Sequence, residues 1–175
     1  MELFIYLFAA LFPVLNPIGT VPIFVGLTQG YTKAERSKVS LLTSFNVFVI
    51  LIISFFIGQY VLQFFGITIT ALRIAGGIII TSSGFGLLNG NFSKNKGINK
   101  KVQKDVENRH DIALTPLAMP MLAGPGSISL LIAFYQDHNS TNEIIISSIA
   151  ILVVAATIYL ILRSAQYLAN ILRAS

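Results

Sequence analysis

Long apolar runs free of charge alternate with short polar stretches along this chain. Leu3 to Thr28 and Val39 to Phe65 hold no charged residue, and Gly66 to Asn91 holds only Arg73. Ile112 to Gln136 and Ile144 to Leu162 again hold none. A helix needs about 20 predominantly apolar residues to cross roughly 30 Å of hydrocarbon, and each of these five runs is long enough. None alternates with period two, which removes a membrane β-barrel. The pattern predicts an all-α, polytopic membrane protein with five transmembrane helices. Short connections join them, apart from a longer one at 92–111 that is rich in Lys, Asn and Gly.

Composition sharpens this. Of 175 residues, 54% are hydrophobic and 11% charged, against about 25% charged in soluble domains. A soluble fold of this size could not coat its surface. Cysteine is absent, so disulfides, zinc–thiolate sites and cysteine nucleophiles are excluded. The first apolar run is too long for a signal peptide and lacks a basic leader, so it is read as a retained span. The net charge of +5 reads as loop charge that sets orientation, with no nucleic-acid partner. Lys33, Arg36 and Lys38 lie in the first connection and Lys94, Lys96, Lys100, Lys101, Lys104 and Arg109 in the third. Arg163 and Arg173 lie in the tail, and the second and fourth connections carry no base. Five crossings put all eleven on one side, so the N-terminus is expected outside and the C-terminus in the cytoplasm.

Two spans carry residues that a plain anchor does not need. The first reads Pro13-Val14-Leu15-Asn16-Pro17-Ile18-Gly19-Thr20-Val21-Pro22, and the fourth runs from Pro116 through Pro120, Gly124 and Pro125 to Ser127. A proline inside a helix removes a backbone donor and clashes with a carbonyl, at about 3 kcal/mol. Backbone freed this way cannot face lipid, so both breaks should turn inward. One reading is a pair of kinks that only shape packing, with small residues allowing close helix approach. The other notes that the two spans cross in opposite directions, each with a Gly and hydroxyl beside its break (Gly19-Thr20, Gly126-Ser127). Gly/Pro-interrupted spans at matching positions of inverted halves point to a transporter's central site. Half-helix N-termini there receive an anionic group, and unwound carbonyls a cation. That pairing suits a zwitterion. The candidate substrate-binding residues are Asn16, Pro17, Gly19, Thr20, Ala123, Gly124, Pro125, Gly126 and Ser127.

Arg73, the one ionisable residue inside a span, joins that set as a carboxylate contact or an inter-repeat ion pair. The alternative is a side chain that snorkels to the outer interface about two turns away. Asn16 can cap the second half-helix or touch substrate, and Thr20 and Ser127 can bond substrate or carbonyls one turn back. Asp111 reads as an N-cap-like acid or a proton carrier. His110 and His138 sit in polar connections. No catalytic cluster, metal set or cofactor motif lies in the spans, so an enzyme is not expected.

The same stretches carry a family resemblance. Asn16-Pro17-Ile18-Gly19-Thr20-Val21-Pro22-Ile23-Phe24 resembles the first-helix signature of the MarC family, and Pro116 to Ile128 resembles its fourth. Ala71-Leu72-Arg73-Ile74-Ala75-Gly76-Gly77 is similar to its third-helix motif. The resemblance implies a multi-pass protein of the inner (cytoplasmic) membrane, grouped with the LysE exporters. It also implies transport of small neutral amino acids such as glycine and alanine. The family pattern is six spans as a 3+3 inverted repeat with helices 1 and 4 broken. The expected organisation is a first repeat at 1–91, a cytoplasmic basic loop at 92–111, and a second repeat at 112–175. From Arg163 onward no 18-residue apolar run remains, so the second repeat is expected to be incomplete, by truncation or by nature. Partners implied are the lipid bilayer, a small zwitterion and a homo-oligomer. A scaffold or regulatory module is the alternative to a transporter.

Overall fold

The computed structural model describes residues 1–88 and 112–172. The first span is two helices, α1 (Glu2–Leu15) and α2 (Pro17–Leu27), bent by 41° at Asn16. α3 (Lys33–Phe64) and α4 (Ile69–Leu88) follow. After the basic loop comes a broken segment, Ala113–Leu122, then α5 (Pro125–Asp137) and α6 (Thr141–Leu172). No strand occurs among the described residues.

Local sequence explains the ends of these helices. Thr32 and Glu35 form a reciprocal capping box at the start of α3, which satisfies amides that the first turn leaves free. Ser140 and Glu143 repeat the glutamate half of this arrangement before α6, with Glu143 accepting from the Ser140 amide at 3.1 Å and hydroxyl at 2.6 Å. Pro17 and Pro125 both stand at the first position of their helices, where a missing N–H costs nothing. Pro17 and Pro125, Thr32 and Ser140, Glu35 and Glu143, and the carbonyl-bonding Ser40 and Ser148 all share one spacing of 108 residues.

α3 is the central helix and packs on α5, α6 and the broken segment. α1 packs on α6 and α5, α2 on α6 and the broken segment, while α4 leans mainly on α5. The core runs through Leu7, Leu11 and Leu15 of α1, Phe24 of α2, Val47, Leu51 and Phe55 of α3, and Ile151, Val154, Ile158 and Leu162 of α6. Lipid is as apolar as these side chains, so close packing rather than water exclusion must hold the helices together. Gly58 serves that purpose: a methyl on it would collide with Ile132 of α5. Ile5, Phe45, Ile53, Ile74, Ile78 and Leu160 are exposed, an apolar surface that water would penalise and lipid accepts.

The observed helices correct the expected spans in three places. Lys33, Arg36 and Lys38 lie on the opening turns of α3 and not in a loop. The last helix continues past Leu162 to Leu172, so most of the tail is helix. α3, α4 and α6 are each long and apolar enough to cross a membrane, and the bent pair α1–α2 makes a fourth if it is one span. The expected fourth span, Ile112 to Gln136, is divided between the broken segment and the 13-residue α5. At 1.5 Å per residue α5 covers only about 20 Å, short of roughly 30 Å of hydrocarbon. Asp111, His110 and the 92–111 loop lie outside the described residues.

Candidate functional site

The first break turns on a single residue. Asn16 adopts the left-handed conformation (φ 47°, ψ 58°), its backbone closing α1 and its side chain opening α2. Oδ1 accepts from the Gly19 amide at 3.1 Å, and the Thr20 hydroxyl donates to the Asn16 carbonyl at 3.1 Å. Asn tolerates this backbone better than most residues because its short amide bonds locally. Gly19 has no side chain because the Asn16 amide folds back over it. The remaining amide nitrogen of Asn16, Nδ2, is buried without a hydrogen-bond partner among the described residues. A buried donor left unpaired costs about 1–3 kcal/mol, and a ligand acceptor would recover it.

The second break is wider. Thr115 and Met119 are extended, and the Ala123 amide reaches back five residues to the Ala118 carbonyl at 2.8 Å. Pro116 follows a cis bond. Gly124 is the extended N-cap of α5, and no side chain caps that helix. Ser127 is buried, and its hydroxyl donates to the Gly124 carbonyl at 2.9 Å. Its own helix-opening amides therefore gain nothing from that bond. Gly126 is buried beside Val14 of α1 and Ile80 of α4, which brings the start of α5 against the last turn of α1. Ala123 is buried and Pro125 exposed. Thr20 and Ser127, singled out as hydroxyls, both bond carbonyls at the start of their own helices.

Arg73 lies away from the breaks, at the end of the bundle where α4 begins and α5 ends. Its Nη2 donates to both oxygens of Asp137, at 2.7 and 2.6 Å, and to the Ala133 carbonyl at 3.4 Å. Both side chains are about half exposed, 46% and 56%, so the pair contributes only about 0–1 kcal/mol to stability. Beneath it lies a cavity of about 270 Å³ between α1, α4 and α5, whose walls include Tyr6, Gly76, Ser129 and Phe134. Tyr6 stacks on Phe134 at 6.0 Å, and Phe134 on His138 at 4.2 Å. Ile80, next to Gly126, forms part of the inner wall. The cavity thus runs from the ion pair toward the first turn of α5. Asp137, Ser129 and the two aromatic residues escaped the sequence reading. The signal for Asp137 was present: the lone intramembrane base, and an acid just past the next span, fall on the same side of the bilayer. Among the described residues no group of His, Asp or Glu could hold a metal ion.

Comparison with known proteins agrees with the motifs. A family model described as MarC family integral membrane protein matches residues 1–175. A UPF0056 membrane protein of Buchnera aphidicola subsp. Schizaphis graminum is 39% identical over 171 residues, 98% of this chain and 79% of the relative. UPF0056 membrane protein YhcE of Escherichia coli K12 is 36% identical over 166 residues, 95% of this chain and 77% of the relative. UPF0056 inner membrane protein MarC of Escherichia coli SMS-3-5 is 42% identical over 129 residues, covering 70% of this chain and 57% of that protein. No solved structure matches. Motifs in three helices, a match along the full chain and these relatives together establish that the chain belongs to the MarC family of integral membrane proteins.

Proposed function

We propose that this protein is a secondary transporter of small neutral amino acids, of glycine or alanine size, across the cytoplasmic membrane. The observation that carries this is the pair of interrupted helices. α2 and α5 each open with a proline, and the start of α5, with Gly126 buried, lies against the end of α1. Interrupted backbone at membrane depth is tolerated where it lines a cavity, and paired interruptions are how inverted-repeat transporters bind solutes. The common 108-residue spacing of proline, cap and glutamate supports reading 1–91 and 112–175 as two halves. The uncapped start of α5 offers amides and a partial positive charge to a carboxylate, and the Asn16 Nδ2 is one further donor. Alternating access then comes from one half rocking on the other. The basic connections face the cytoplasm, the N-terminus lies outside, and the protein is not an enzyme.

A second reading has an observation of its own. Thr20 and Ser127 both spend their hydroxyls on backbone carbonyls, as they would in a scaffold whose breaks only shape packing. Thermal unfolding of the purified chain with millimolar alanine or glycine separates the two. A ligand that binds only the folded state at 100 times its Kd stabilises it by about 2.7 kcal/mol. Transport requires a rise in Tm that saturates with ligand. The scaffold reading requires none.

A further inference from the structure

The Arg73–Asp137 contact has an unusual division of labour. One guanidinium nitrogen, Nη2, makes every hydrogen bond to Asp137 and Ala133. Nε and Nη1 make none among the described residues. An arginine in a structural fork–fork pair engages carboxylate with two nitrogens. Here the Nε–H and Nη1–H donors remain available to a second carboxylate, half exposed, at the mouth of a cavity. The contact also joins α4, from the first half of the chain, to α5, from the second.

We propose that the cavity beneath this pair is the outer entry site for the substrate. In it the substrate's carboxylate binds Arg73 and its ammonium binds Asp137, each end replacing the other side chain. The inference rests on the transport reading and adds to it a recognition site distinct from the two breaks. Charge balance selects the ligand class. A simple anion that displaces Asp137 leaves that carboxylate without its partner, and a simple amine does the same to Arg73. A zwitterion pairs both. The incoming carboxylate first meets a free Nε–H or Nη1–H donor, after which Asp137 yields Nη2 to it and is released to the ammonium, and α4 and α5 are no longer latched together. The stacked Tyr6 and Phe134 rings add an aromatic wall to the same cavity, which favours a cation.

Size follows from the walls. At about 270 Å³ the cavity lies below the roughly 300–1,000 Å³ of sites for drug-sized ligands. A methyl on Gly76 would lie 2.6 Å from Ser129 Cβ, so α4 and α5 pinch together along one wall. Glycine and alanine fit within this volume.

The test is the ligand concentration that gives half-maximal thermal protection of the full chain, for alanine, alaninamide (no carboxylate) and propionate (no ammonium). The wild type should need at least tenfold more of either analogue than of alanine. Arg73→Gln and Asp137→Asn should each raise the alanine concentration at least tenfold. Arg73→Lys should fall between, since lysine keeps the charge without the planar edge. The exchanged pair, Arg73→Asp with Asp137→Arg, should recover ligand-free stability without recovering alanine affinity. A latch with no role in recognition would lower ligand-free Tm in the single variants and leave the half-protecting alanine concentration unchanged. That result overturns this inference and spares the transport reading. Absence of alanine protection in the wild type overturns both. Should Arg73→Gln fail to fold, Asp137→Asn and Arg73→Lys decide the matter by the same readout.

Discussion

The two breaks solve one problem with opposite means. At Asn16 a single left-handed residue turns the chain by 41°, and its own side chain caps the helix that follows. Across Ala113–Leu122 the chain takes wide turns through extended Thr115 and Met119, and α5 starts on Gly124 with no side-chain cap. The first break is closed and carries one orphan donor, Asn16 Nδ2. The second is open and leaves helix-terminal amides for something else to meet. Proline placement alone would not have separated them, since both helices begin with proline at the same position. The residue before it decides: asparagine brings its own acceptor, and glycine brings none.

Asn16 is therefore the more sensitive position. Asn16→Ala should cost about 2–3 kcal/mol, combining a left-handed backbone for a residue with a Cβ and a Gly19 amide without its acceptor. Asn16→Gly keeps the backbone freedom and should cost about 1 kcal/mol. Unfolding in detergent measures both, and equal losses would mean that the conformation of Asn16 is not what holds the bend. The smallest effect has the opposite sign. Gly124→Ser supplies the second break with the cap it lacks and should stabilise by a few tenths of a kcal/mol. It should also weaken alanine protection, because the new hydroxyl competes for the same amides. Stronger protection in that variant would show that ligand does not use the start of α5.

Much of the architecture was legible beforehand because lipid imposes a coarse rule on composition. Charge-free runs of about 20 residues must be helical; α3 and α6 cover such runs and wind beyond them, and α4 covers one interrupted only by Arg73. The ends of α3 and α6 were misplaced for a physical reason. Helix geometry does not stop where hydrophobicity does, so basic turns such as Lys33–Lys38 stay wound beyond the apolar stretch. The proline clusters announced the breaks, but not their shapes. Asn16 in the left-handed region and the five-residue back-bond at Ala123 depend on tertiary packing. Arg73 was legible as an anomaly, while the only hint of its partner was an acid on the same side of the bilayer. Asp137 is far in sequence and looks like an ordinary connection acid until α4 and α5 are laid side by side. Gly76 reads as one more small residue until Ser129 is placed against it.

The most direct test of the central claim is counterflow of labelled alanine into proteoliposomes loaded with unlabelled alanine, comparing the wild type with Asn16→Leu and Gly124→Leu. Transport through a site at the two breaks requires concentrative exchange by the wild type, at least tenfold reduced by either substitution in protein that still inserts and folds. Exchange that survives both substitutions would contradict a substrate site at the two breaks. Absence of exchange in the folded wild type would contradict amino acid transport by this chain.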